Sequence, residues 1–188
     1  LLVIAISYLS CKKNTEMETK PRMPKEYTVN QLYENISVFG TGFNADETKV
    51  LTANNSTGIF NIYELNLADH STNAITKSTT ESIFPVDYVP GTNEIIYSAD
   101  QGGDENAHLY KLKIGDTMAQ DLTPWKGSAN NFMRWSADKT SMYITSNKRD
   151  PRYFDLYKIE LSQSGPTLLY QNDSAYDIGV ISNSDRYL

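Results

Sequence analysis

The chain has 188 residues with 23 acidic against 17 basic side chains, a net charge of −6. That balance argues against nucleic acid as a partner, because nucleic acid rewards a clustered positive surface. The single Cys excludes an intrachain disulfide and a Cys-cluster metal site, while thirteen Tyr with abundant Asn, Ser and Thr suit an all-β, turn-rich protein.

Leu1 to Leu9 form an apolar run too short to cross a bilayer as a helix. It ends at Ser10-Cys11 and turns polar at Lys12 and Lys13, which reads as residues 1–11 of a truncated export signal. A Cys directly after a small residue is similar to a bacterial lipoprotein cleavage site, where the thiol takes the lipid. Cys11 is therefore the expected lipidation site. Tyr8 and Leu9 depart from that pattern, and an ordinary signal peptide with an incidental Cys is the alternative. Either reading sends the mature protein out of the cytoplasm, to the periplasm or to an outer-membrane anchor.

Residues 12–26 are polar and charged, with Pro21 and Pro24, and lack the apolar side chains that offset ordering entropy. They read as a tether. A short helix is expected next, because Thr28 and Gln31 have capping-box spacing. Val29, Leu32 and Tyr33 would share one of its faces, expected to pack against the β-structure downstream.

Residues 27–188 then read as an incomplete β-propeller of about three and a half four-stranded blades. The blades cover about 36–77, 83–123, 131–170 and a truncated 177–188. The third strand of each is written three times: N-I-Y-E-L-N-L from Asn61, H-L-Y-K-L-K-I from His108 and D-L-Y-K-I-E-L from Asp155. Each copy alternates apolar and polar residues, the period of a strand with one buried face. Tyr63, Tyr110 and Tyr157 step by 47, as do Leu65, Leu112 and Ile159, and Ile75, Leu122 and Leu169. A turn sits between the first two strands of each unit, at Asn44–Glu47, Pro90–Asn93, Ser136–Lys139 and Ser182–Asp185. A constant period of this size marks a propeller blade, whereas a β-sandwich, the alternative, needs no constant long period. The chain starts without Met and stops in mid-repeat, which reads as a fragment of a longer product. Blades bury their faces only against neighbours, so such a fragment is expected to associate or to be poorly soluble.

Four stretches resemble the N-terminal propeller of the prolyl oligopeptidase family of serine peptidases. They are E-Y-T-V-N-Q-L-Y-E-N from Glu26, N-S-T-G-I-F-N-I-Y-E-L from Asn55, Y-S-A-D-Q-G-G-D-E-N-A-H-L-Y from Tyr97 and S-N-K-R-D-P-R-Y-F-D-L-Y from Ser146. The resemblance is strongest to exported bacterial members of the acylaminoacyl-peptidase and dipeptidyl-peptidase kind. It implies a propeller that filters short peptides for a C-terminal α/β-hydrolase domain on the same parent chain. Catalysis there would use a Ser nucleophile, a His and an Asp. No triad residue carries over, because the chain has no G-x-S-x-G elbow. The turns are also similar to the S-P-D-G element of TolB-type propellers. Ala45, Ala137 and Asn183 replace its Pro, and Glu47, Lys139 and Asp185 its Gly.

The alternative function is a non-enzymatic TolB-like propeller lipoprotein that binds protein or envelope partners. A carbohydrate-binding or sensor propeller is a third. If the chain serves a peptidase, Glu105 is a candidate for facing a peptide amine, and Arg149, in the basic cluster Lys148, Arg149 and Arg152, for facing a substrate carboxylate. The bland readings are a tight turn around Asp100, Asp104, Glu105 and Asn106, and loop charges paired with carboxylates. The acidic group lacks the ligand spacing of an EF-hand, so no metal and no cofactor is expected. His70 and His108 read as surface or edge positions, and Trp125 and Trp135 as packing between blades.

Overall fold

In the computed structural model, the structure describes residues 24–162, 165–174 and 176–187. The expected lipidation site Cys11, the expected export signal and most of the expected tether lie outside the described residues.

Two units are distinguished, residues 1–35 and 36–188. Helix α1 spans Val29–Tyr33 in the first. Its start is the expected reciprocal cap. The Thr28 hydroxyl accepts from the Gln31 N–H at 3.2 Å, and the Thr28 N–H donates to Gln31 Oε1 at 3.0 Å. Two otherwise unsatisfied backbone donors are met this way, which lets so short a helix form.

Among the described residues of the second unit, three four-stranded antiparallel sheets succeed one another along the chain. The first holds β1 (Val38–Phe43), β2 (Lys49–Asn54), β3 (Asn61–Asn66) and β4 (Thr72–Ala74). The second holds β5 (Phe84–Tyr88), β6 (Glu94–Ala99), β7 (His108–Lys113) and β8 (Gln120–Asp121). The third holds β9 (Asn130–Trp135), β10 (Ser141–Asp150), β11 (Tyr153–Glu160) and β12 (Pro166–Tyr170). Every sheet is a simple meander in chain order. This is an all-β, partial β-propeller preceded by a short helix.

Two departures from the sequence reading are physical. First, the third strands do not bury one face only. Leu109 and Leu112 point to opposite sides of β7, and both are buried. Leu112 and Ile95 join Leu51, Ile62 and Tyr88 in a core between the first and second sheets. Leu109 and Ile96 join Trp135, Met142, Ile144, Tyr157 and Ile159 in a core between the second and third. The repeat thus has a second apolar column at Ile62, Leu109 and Leu156, again 47 apart. A blade inside a propeller is a buried sheet on both sides.

Second, no strand is assigned at Asp177–Ile181 among the described residues, although the turn after it is built. The Ser182 N–H donates to the Tyr187 carbonyl at 2.8 Å, and the Asp185 N–H to the Ser182 carbonyl at 2.9 Å. Equivalent bonds close the turns at Asn44, Val89 and Ser136. A strand exists only through its ladder, and 177–181 has no second strand to pair with among the described residues.

The turns also explain the missing Gly. Glu47, Lys139 and Asp185, each the fourth residue of its turn, adopt φ of 55°, 62° and 58°. In the turn that starts at Val89 the left-handed residue comes one place earlier, at Gly91, with φ of 71°. The other three turns impose a left-handed fourth residue whatever its identity. Each non-Gly occupant bears roughly 1 kcal/mol of strain.

Candidate functional site

Each meander sends its second-to-third-strand connection to the same end of its sheet. Glu105 lies on one such connection and Arg149 at the end of β10 beside the next, so both candidates belong to the same end of adjacent sheets.

Glu105 is exposed, in a connection with three left-handed residues, Gly102, Gly103 and Glu105. Its N–H donates to Asp100 Oδ2 at 3.2 Å, and Asp104 accepts from the Asn106 N–H and side-chain amide. Those bonds hold the Asp104 carboxyl below its ordinary range. The acidic residues thus make a tight local turn, and the Glu105 carboxylate projects from it without a hydrogen-bond partner among the described residues.

A cavity of about 380 Å³ opens alongside, lined by Asp104, Asn106, His108, Tyr110, Asp121 and Lys126 among others. His108 is not simply an edge residue. Its Nδ1 lies 2.8 Å from Asp121 Oδ2, while Asp121 Oδ1 accepts the Thr123 N–H at 2.8 Å. Tyr110 is the register partner of Asp121, which puts His108 one diagonal away on the same face.

The basic cluster sits differently from the loop expected. Strand β10 continues to Asp150, and Asp150 pairs with Tyr153, so only Pro151 and Arg152 turn the hairpin. The register with β11 shifts between Ser146 and Asp150, so Lys148 and Arg149 sit in an irregular stretch of β10 and do not follow simple alternation. Arg149 donates through Nε to Asp155 Oδ2 at 2.6 Å and through NH2 to Asp155 Oδ1 and the Asn172 carbonyl, both at 2.9 Å. Asp173 lies 3.2 Å away. Asp155 is fully buried and also accepts the Asn172 N–H at 2.8 Å. The Arg149 bonds hold its carboxyl below the usual range against the opposing effect of burial. Arg149 is thereby engaged as a brace between the hairpin and the segment after β12.

Arg152 makes a two-pronged pair with Asp150, at 3.0 and 2.8 Å. Lys148 takes no carboxylate among the described residues. Its ammonium rests 3.9 Å from the Trp125 ring centre and 4.8 Å from that of Tyr157.

Trp135 is buried between the second and third sheets, and its indole N–H donates to Asp87 Oδ2 at 2.9 Å. Trp125 packs against the same core. Both indoles are packing residues, as expected. The described residues hold no cluster of three or more His, Cys, Asp or Glu side chains placed to share a metal ion.

No protein-family model matches the chain. In sequence it is 33% identical over 118 residues to dipeptidyl aminopeptidase BIII of Pseudoxanthomonas mexicana, a match covering 61% of this chain and 17% of that enzyme. In structure it is similar to TolB from Acinetobacter baumannii, with a TM-score of 0.58 and 16% identity, over 71% of this chain and 32% of that one. A prolyl endopeptidase structure gives a TM-score of 0.57 and 12% identity, over 73% of this chain and 22% of that one. At such identities the structural likeness is one of fold. The chain accordingly carries blades of the propeller type shared by TolB proteins and prolyl oligopeptidase-type peptidases, as its repeats and phrases indicate.

Proposed function

We propose that this chain is the substrate-filtering propeller portion of a longer, exported serine peptidase acting on short peptides. The observation that supports it is the 33% identity to a dipeptidyl aminopeptidase, which a shared propeller fold alone would not require. The partner in this reading is a C-terminal α/β-hydrolase domain on the parent chain, and an anchor at Cys11 would hold the protein to a membrane. The sheet end bearing Glu105 and the β10–β11 hairpin would face the peptide. Glu105, exposed and unpartnered at its carboxylate, would take a free amine. In the full-length protein Glu105→Gln should raise KM for free-amine peptides, and an unchanged KM refutes that role.

The test of the reading itself is the intact mass of the native full-length product and its labelling by a fluorophosphonate, which reacts with activated serines. Labelling lost on heat denaturation, on a product larger than a propeller, supports the peptidase. A smaller, unlabelled product supports the second reading, a TolB-like binding propeller, whose fold the chain shares equally.

A further inference from the structure

The three cations of the β10–β11 hairpin look equivalent in sequence, but the fold sorts them. Arg149 is engaged by Asp155, Asn172 and Asp173, and Arg152 by Asp150. Lys148 is exposed and meets no carboxylate among the described residues. Its ammonium is held on two aromatic faces, Trp125 from the connection before β9 and Tyr157 from β11, whose rings lie 5.8 Å apart. Both rings are anchored. Tyr157 is 3% exposed, and Trp125 packs on the core beneath it. An aromatic bed attracts the cation but accepts none of its N–H groups in the way a carboxylate does. The stem is therefore held in place while donors remain for a ligand. Partial burial also lowers the Lys148 pKa from its ordinary value, so an incoming anion relieves a cost the folded chain already bears.

We propose that Lys148, and not Arg149, is a carboxylate-binding residue at this end of the propeller, and that its ligand is the C-terminal carboxylate of a short peptide. This deepens the peptidase reading by naming a substrate feature, and rests on that reading for the identity of the ligand. The geometry favours a single carboxylate over a polyanion, because the neighbouring guanidinium groups are already paired. Arg149 is in this view a positioning residue, which keeps the hairpin and the segment after β12 together.

The test uses the full-length parent with Lys148→Met, which keeps the stem but removes the charge, and Lys148→Arg, which keeps the charge. The probe is one short peptide in two forms, free acid and C-terminal amide. Binding is read from Trp125 fluorescence, with Trp125→Phe as the signal control, and turnover is read in parallel. Lys148→Met should weaken binding and raise KM for the acid by about three- to tenfold. It should leave the amide unchanged, and Lys148→Arg should recover most of the loss. Equal effects on acid and amide, or no effect on either, overturn the proposal. Absence of turnover with any peptide would refute the peptidase reading instead, and the fluorescence comparison of acid with amide would still decide the role of Lys148.

Discussion

The first and third sheets share a strand order and a set of 47-residue columns, yet they are buried differently. In the third, Met142 and Ile144 face the second sheet, while Tyr143 and Leu156 face the other way and are covered by Ile181 and Ile178. In the first, Leu51 and Ile62 are sealed against the second sheet. Its other side exposes Phe43 and Leu67, at 57% and 39%. The same pattern therefore yields a core or a surface according to what stands beside it, because a blade has no interior of its own. The polar column at the start of each third strand differs as well. Asn61 holds the connection after its sheet by neutral bonds, accepting from the Ser78 N–H and the Thr76 hydroxyl. Asp155 does the same work as the buried half of an ion pair whose Arg149 half is exposed.

The sharpest way to break this comparison is at that column. Asp155→Ala would leave the Arg149 guanidinium without its main partner and the buried Asn172 N–H without its acceptor, and should cost more than the loss of the neutral bonds at Asn61. Asn61→Ala, losing neutral bonds, should cost about 1–3 kcal/mol. Denaturant unfolding of the two variants measures the gap, and equal losses would show that the ion pair adds nothing. The pH dependence has a definite sign. The Asp155 pKa is depressed in the fold, so its contribution is complete above the ordinary carboxylate range and disappears as pH falls through the depressed value. Acid unfolding should therefore be less steep in Asp155→Asn.

Core truncation comes next. Ile144→Ala, at a fully buried site of the third sheet, should cost about 2–5 kcal/mol. Phe43→Ala, on the open side of the first, should stay within about 0.5 kcal/mol. A large loss at Phe43 would mean that this face is covered in solution, by association for example.

Gly42 lies where the first and second sheets approach. A Cβ there would overlap the Asp87 carboxylate, which is held by the Tyr88 N–H and the Trp135 indole. Gly42→Ala should cost about 1–3 kcal/mol, whereas Gly40→Ala, whose Cβ finds its tightest contact at the adjustable Val50 methyl, 3.3 Å away, should cost less.

The smallest effect belongs to the second sheet. Burial pushes the Tyr97 phenol up to about 12 from 10.0. Its stabilising contribution is whole below pH 10 and is lost as pH rises toward 12. Tyr97→Phe keeps the ring stacked on Tyr110 and should move the alkaline unfolding midpoint slightly upward.

The sequence by itself determined what depends on near neighbours and on the repeat. The capping box at Thr28 and Gln31 needs only a spacing of three. The turns at Asn44, Ser136 and Ser182 need only local hydrogen bonds, the second turn starts at Val89, one residue before the expected Pro90, and the blade period comes from columns that hold one phase. Tertiary structure decided the rest. It showed that Leu109 and Leu112 are both core, because the alternation within β7 does not reveal that a sheet lies on each side. It extended β10 to Asp150, since charged residues in a hairpin look like loop until their ladder partner Tyr153 is known. It paired His108 with Asp121 and Arg149 with Asp155, and it left Lys148 on its aromatic bed. Which of three adjacent cations stays available depends on where distant chain segments deliver carboxylates and rings, and that is a property of packing rather than of spacing.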